Sequence, residues 1–346
     1  MTATRVLRLH AVHDIRVEEE PVAAPGPGDV LIAMERGGIC GSDLHYFHAG
    51  RAGSAIVRDP IILGHEASGR IAALGAGVGG LAVGDLVAVN PSRPCGSCRF
   101  CLAGKQNQCL EMRFLGSAMF RPHENGAFRD LMTVPAERAV PMPNASAAAA
   151  ACVEPLSVCL HAAHQAPSLL GAKVLVTGAG PIGALMVAVA RAAGAARIVA
   201  TDLAAAPLAV AEAMGADETV NVAESDALSV YAADKGTFDV GFECTAAAPA
   251  IRSMVECVAA TGTMVQVGIA ADITVPLNLI VAKEIAFKGS FRFHAEFGEA
   301  AGMIDGGRID VTPILTGTLP LADAEAAFAL AGDRARAVKV QLAFGG

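Results

Sequence analysis

The sequence predicts an α/β protein in two parts: a mostly antiparallel β domain over residues 1–145, then a doubly wound parallel sheet. Three observations predict this. The first 145 residues alternate in polarity and are punctuated by glycine and proline, as short strands joined by turns are. Near Ala147 the composition turns alanine-rich, and strand and helix signals begin to alternate. The first strand–helix junction that follows carries G-x-G-x-x-G.

Within the first part, Val6-Leu7 and Ile15-Arg16-Val17 read as short strands, APGPGDVLIAM (24–34) as a turn then a strand, and 68–89 as strands joined by glycine turns. The stretch 146–166, SAAAAACVEPLSVCLHAAHQA, is helical in propensity. KVLVT (173–177) is a β-rich run, followed by a helix that opens at Pro181 and ends at Gly194. ARIVATD (196–202) is the next strand and PLAVAEAMGA (207–216) the next helix; FDVGFEC, GTMVQVG and EIAFKGSF are further strands. From about Glu284 the pattern is less regular.

Composition narrows the function. Hydrophobic residues make up 53%, but the most apolar window, 181–200, is broken by Arg191 and Arg197, so it reads as a buried helix and strand and no membrane span is expected. The first twenty residues carry charges throughout and no apolar core, so no secretory leader is expected and a cytoplasmic setting with reduced thiols is. Net charge is −8 with no basic run, which argues against nucleic acid.

Gly178-Ala179-Gly180-Pro181-Ile182-Gly183 fits the dinucleotide fingerprint in its required setting, after a strand and opening a helix. Gly178 permits the tight turn, Gly180 lets the backbone approach a pyrophosphate, and Gly183 allows close helix–strand packing. The plainer reading is a glycine turn without a ligand. Asp202 ends the second strand about 20 residues on, where a carboxylate accepts hydrogen bonds from the adenosine ribose. No Arg or Lys follows in LAAAPLAVA to neutralise a 2′-phosphate, so NAD is expected over NADP; a solvated strand end is the alternative for Asp202.

Cysteine spacing predicts a metal. Cys95, Cys98, Cys101 and Cys109, spaced C-x2-C-x2-C-x7-C, can fill a tetrahedral zinc shell, and four protein ligands leave no place for a substrate. That zinc would be structural. Cys40, His65 and Glu66 supply a thiolate, an imidazole and a carboxylate, which suit zinc with one open position. Taken singly, each is as readily a packing or surface residue. Cys152, Cys159, Cys244 and Cys257 sit in apolar surroundings and read as small buried side chains.

Together these residues carry a resemblance. CGSDLH after a strand, GHEASG, the four-cysteine lobe and the later fingerprint stand in the order found in zinc-containing medium-chain dehydrogenases, which the chain resembles over its whole length. The resemblance implies a GroES-like β catalytic domain split between the two chain ends, at 1–145 and 284–346. A Rossmann NAD-binding domain is inserted at 146–283, with the active site in the cleft between. Within the family, CGSDLHYFHAGRAGSAIVRDPIILGHEASG is similar to polyol dehydrogenases. RGGICGSDLHY, NPSRPCGSC, NQCLEMRFLGSAM, EPLSVCLHAAHQA and KGSFRF are more similar to the members that oxidise the sugar acid L-idonate.

The resemblance also implies roles. Cys40 and His65 would bind a catalytic zinc, with Glu66 or Glu154 as the remaining protein ligand, giving two zinc ions per chain. Ser42 would hydrogen-bond the substrate oxygen and His45 would relay its proton to solvent. Pro181, Ile182, Val267 and Gly268 would join the glycines and Asp202 in holding NAD. Tyr46, Phe114 and Arg292 would line the substrate pocket, Arg292 contacting the hydroxyls of a polyol or, in an aldonate enzyme, pairing with the carboxylate. Arg113 is a second candidate cation, or forms a surface salt bridge. The implied reaction is hydride transfer from C5 of L-idonate to NAD, giving 5-keto-D-gluconate, with sorbitol or xylitol as the alternative substrate. Relatives are homodimers or homotetramers. A zinc-free NADPH-dependent reductase would lack the Cys/His/Glu set, and a zinc-binding adaptor would not need Asp202 after a strand–GxGxxG–helix unit.

Overall fold

The structure is a computed structural model and describes residues 2–269 and 272–345. Two sheets organise these residues. The first is antiparallel at its centre, where Asp29–Gly38 pairs with Glu66–Leu74 on one side and with Leu131–Pro135 and Lys339–Ala343 on the other. Val30, Ile32 and Met34 alternate inward with a period of two and are buried, as a half-covered strand requires. Strand Lys339–Ala343 joins this sheet from some 300 residues downstream and brings Leu315–Pro320 with it in parallel. Strands Thr2–Ala11 and Asp14–Val22 are longer than their local β signals suggest, and form a separate small sheet with Ile61–Ile62.

The second sheet is parallel throughout, in the order Glu218–Asn221, Arg197–Asp202, Lys173–Thr177, Phe238–Glu243, Val258–Gln266, Ala286–Gly289. Val174, Leu175 and Val176 are all fully buried, because helices cover both faces. The chain builds outward from Lys173–Thr177 to one side and then resumes on the other. That strand is the switch point, and open α/β sheets bind ligands beyond its carboxyl end. The last strand lies past the boundary expected at residue 283: the parallel sheet runs on to Gly289.

The helical stretch at 146–166 is two helices, Ala147–Ala150 and Val153–Gln165. Pro155 is tolerated because it sits in the first turn, where its missing N–H has no intrahelical partner to lose. The second helix packs against Pro181–Ala192 and against Glu296–Asp305, in a core that also takes in Phe114, Phe293 and Cys101 from other parts of the chain. The helix expected at 207–216 runs instead over Ala205–Ala213. Cys152, Cys159 and Cys257 are buried as expected, but Cys244 is only half-buried. No helix among the described residues is long and apolar enough to cross a membrane.

Candidate active site

The four cysteines of the lobe converge, with all sulfur atoms within 4.8 Å of one another. Cys95 and Cys98 Sγ lie 4.0 and 3.6 Å from Cys101 Sγ. Tetrahedral ligands at zinc–sulfur distances of about 2.3 Å stand about 3.8 Å apart, so the donor set fits the ion. Backbone N–H groups point at the sulfurs: Cys98 N–H donates to Cys95 Sγ (3.4 Å), Cys95 N–H to Cys109 Sγ (3.2 Å) and Glu111 N–H to Cys109 Sγ (3.4 Å). Such donors stabilise thiolate charge. The backbone N–H groups of Cys101 and Leu110 do this for Cys98, holding it down to about 6, while burial pushes Cys101 up to about 12.

A second cluster forms where two segments of the antiparallel domain meet. Ligand atoms of Cys40, His65 and Glu66 also lie within 4.8 Å of one another. Cys40 precedes helix Gly41–Ala49, and His65 and Glu66 stand at the start of strand Glu66–Leu74. Asp43, fully buried one turn into that helix, ties the segments together: Oδ2 accepts from Cys40 N–H (3.0 Å) and Oδ1 from Gly64 N–H (3.2 Å). Oδ1 is also 3.9 Å from His65 Nδ1, beyond hydrogen-bond reach but near enough for its charge to act on the imidazole. One thiolate, one imidazole and one carboxylate fit a zinc site with an open position.

Glu66 has a partner that sequence reasoning missed. Lys339 Nζ lies 2.8 Å from both its carboxylate oxygens and 3.2 Å from Ile39 O, with both side chains 2% exposed. Val338, Lys339, Val340, Gln341 and Leu342 read as a strand with Lys339 and Gln341 facing water, yet Lys339 and Gln341 are 2% and 0% exposed. Both faces of this strand are covered, Gln341 donating to Ala148 O (2.8 Å). Removing one partner of such a pair leaves a buried unpaired charge. Lys339→Met is expected to destabilise the metal-stripped protein by roughly 3–5 kcal/mol in denaturant titration; a loss below about 1 kcal/mol, the range of exposed pairs, would show that Glu66 does not depend on it.

Glu154, on the first turn of Val153–Gln165, stands outside the cluster of three but interacts electrostatically with His65, Glu66, Lys339 and Arg292. Burial, with Glu66 adding to it, pushes its carboxyl up to about 7. Of the remaining expected residues, Ser42 is half-buried and His45 exposed on helix Gly41–Ala49. Tyr46 is buried, and its hydroxyl accepts from Ala118 N–H (3.1 Å). Phe114 packs its ring 5.6 Å from that of His65. Arg292 joins them from the far segment, its guanidinium 4.4 Å from the Phe114 ring centroid. It does so at φ 55°, a left-handed conformation that bulky residues rarely adopt. Burial lowers its pKa, and Glu154 and Tyr46 oppose that shift. Arg113 does not join this group and is not the surface ion pair considered for it: it donates to Pro122 O (3.0 Å) and lies over Phe120.

At the switch point, Gly178 has φ 83°, and a Cβ there would strike Thr245. A Cβ on Gly183 would strike the Gly178 carbonyl, so that glycine is required by helix–loop packing, whereas a Cβ on Gly180 would meet nothing. The space beside Gly180 suits an approaching pyrophosphate, next to the helix start at Pro181 and Ile182. Asp202 is buried at the end of its strand, where Oδ2 accepts from Ala179 N–H (2.8 Å) and Oδ1 from Leu203 and Ala204 N–H (2.7 and 3.1 Å). It therefore braces the glycine loop from within. Val267 and Gly268 lie just past the end of Val258–Gln266, on the other side of the switch point.

Comparison with known proteins agrees with this geometry. The family profile of the alcohol dehydrogenase GroES-like domain matches residues 26–144, and that of the zinc-binding dehydrogenases matches 181–306. The chain belongs to the zinc-containing medium-chain dehydrogenases. It is 42% identical over 316 residues to L-idonate 5-dehydrogenase (NAD(P)(+)) of Escherichia coli K12, covering 91% of each chain. It is 35% identical over 340 residues to the sorbitol dehydrogenase of Gallus gallus, covering 96% of this chain and 94% of that one. The crystal structure of the Escherichia coli L-idonate 5-dehydrogenase superposes with a TM-score of 0.95 at 39% identity, over 99% of both chains. The protein is thus a secondary-alcohol dehydrogenase of the polyol and sugar-acid group that uses NAD(P) and zinc.

Proposed function

We propose that this dehydrogenase oxidises L-idonate at C5 to 5-keto-D-gluconate, reversibly, with NAD preferred over NADP. The observation that carries the substrate is Arg292, a guanidinium held in an unfavourable backbone conformation against Phe114 and beside the Cys40–His65 cluster. A polyol's hydroxyls can accept from such a fork of donors, but a carboxylate matches it with two charge-assisted bonds and is favoured more strongly. The similarity to an L-idonate dehydrogenase supports the same reading. Sorbitol or xylitol is the second reading, supported by similarity to a sorbitol dehydrogenase.

Cys40 and His65 would hold the catalytic zinc, with Glu66 the nearer carboxylate, and the lobe cysteines would hold a second ion. When bound, zinc supplies a Lewis acid that lowers the pKa of an alcohol, and nicotinamide supplies the hydride acceptor. Glu154, a buried carboxylate whose charge reaches His65 and Arg292, is placed to take up the hydroxyl proton. Ser42 would orient the reacting hydroxyl, and the exposed His45 would pass the proton to water. Gly180, Pro181 and Ile182 would face the pyrophosphate, with Gly178 and Gly183 shaping the loop that presents them; Asp202 would face the ribose, and Val267 and Gly268 the nicotinamide half.

The protein would work in the cytoplasm as a homodimer or homotetramer. The edge strand Ala286–Gly289 is exposed along its whole length, with Phe287, Leu277 and Val281 uncovered nearby, and an edge of that kind calls for a partner. Initial rates of NADH formation with L-idonate and with sorbitol test the assignment. A kcat/KM for L-idonate at least about 10²-fold above that for sorbitol is expected from one charge-assisted pair; preference for sorbitol would transfer the enzyme to the polyol reading.

A further inference from the structure

Glu243 is a fully buried carboxylate that the reaction above does not use. It ends the strand Phe238–Glu243, between Lys173–Thr177 and Val258–Gln266, in register with Thr177 on one side and Gln266 on the other. Its donors are all neutral. Oε1 accepts from the Thr177 hydroxyl (3.3 Å), from Thr245 N–H (2.8 Å) and from the Thr245 hydroxyl. Oε2 accepts from Ala246 N–H (2.8 Å) and from Gln266 Nε2 (2.5 Å). The same Gln266 amide donates to Gly268 O (2.9 Å), and its own oxygen has no partner among the described residues. That amide is turned to serve the carboxylate at the cost of its acceptor.

These bonds join three segments around the cofactor cleft. Thr245 is the residue against which Gly178 must lack a Cβ. Ala246 holds φ 55°, and a Cβ on Gly268 would lie 2.6 Å from Ala246 N. Val267 and Gly268 N–H donate to the Glu243 backbone carbonyl (2.8 and 2.9 Å). The arrangement also has a polarity. Asp202 places the adenosine half beyond Arg197–Asp202, on one side of the switch strand. The other half of a dinucleotide then lies over Phe238–Glu243 and Val258–Gln266, the strands whose ends Glu243 links.

We infer that Glu243 is a positioning residue for the nicotinamide half of the cofactor, setting the 244–246 turn and the 266–268 segment through a single buried carboxylate. The inference rests on the dinucleotide reading of the glycine loop. Only a carboxylate accepts at every position here; in Glu243→Gln the new NH2 group would face N–H donors.

The test is binding of NADH and of ADP-ribose, which lacks nicotinamide, to full-length wild type, Glu243→Gln and Thr245→Val, with melting temperatures measured alongside. Thr245→Val is isosteric, removes the hydroxyl that donates to Glu243 and accepts from the exposed Ala247 N–H, and decides the matter should Glu243→Gln not fold. The Kd for NADH is expected to rise about tenfold or more while that for ADP-ribose changes less than about twofold, since unpaired buried donors disturb one half of the cleft. Equal weakening of both ligands would mean general loosening, and no change in either would mean no role; each overturns the inference. A wild type that binds neither ligand would instead overturn the dinucleotide reading itself.

Discussion

Cys40→Ala is expected to lower kcat/KM by about 10³-fold or more and to reduce bound zinc from about two ions per chain to about one. The fold should survive. Asp43 grips this segment through the backbone N–H of Cys40, which the substitution keeps, and through Gly64 N–H across the gap. The lobe cysteines hold their own cluster elsewhere. Loss of activity with an unchanged melting temperature would therefore place Cys40 in the chemistry and not in the scaffold. Full activity with two zinc ions retained would remove it from the catalytic site, and His65 and Glu66 with it, since only their convergence with Cys40 singles them out.

Arg292→Ala is expected to cut kcat/KM for L-idonate by roughly 10²-fold, chiefly through KM, and to change the value for sorbitol by less than about tenfold. The size follows from removing a charge-assisted contact in a partly desolvated pocket, where the guanidinium also stacks on Phe114. Arg292→Lys should recover little, because an ammonium neither forks nor stacks in that way. Equal losses on both substrates would assign Arg292 to packing against Phe114 alone. No loss on either would take it out of the pocket and leave the sugar-acid reading without its main physical support.

Much of the fold was legible in the sequence because its signals are local. The strand at 173–177, the helix opening at Pro181 and the strand ending at Asp202 announce themselves through apolar runs bounded by glycine and proline. The four-cysteine cluster was legible because soft ligands at short spacing have few other uses, whereas Cys40, His65 and Glu66 stood out only through the family resemblance. What escaped was long-range. Lys339 meets Glu66 across 273 residues, and its alternating neighbours suggest the solvent side of a strand. Asp43 looks like an exposed helix-start acid until Gly64 folds onto it. Glu243 shows no pattern of its own, since its role comes from the strands on either side. The positive φ of Arg292 is also invisible, because nothing in an Arg between two phenylalanines signals a left-handed conformation.

The reaction is expected to require zinc at the Cys40–His65 cluster, and zinc content followed against activity reads that requirement out. Purified protein would be stripped stepwise with a chelator, and zinc per chain and NADH formation with L-idonate measured at each step. About two ions per chain at the start are predicted, with activity falling to background as the first is lost and returning when zinc is restored. Undiminished activity at no zinc, or a starting protein that is active without any, would mean that the cluster does not carry the chemistry.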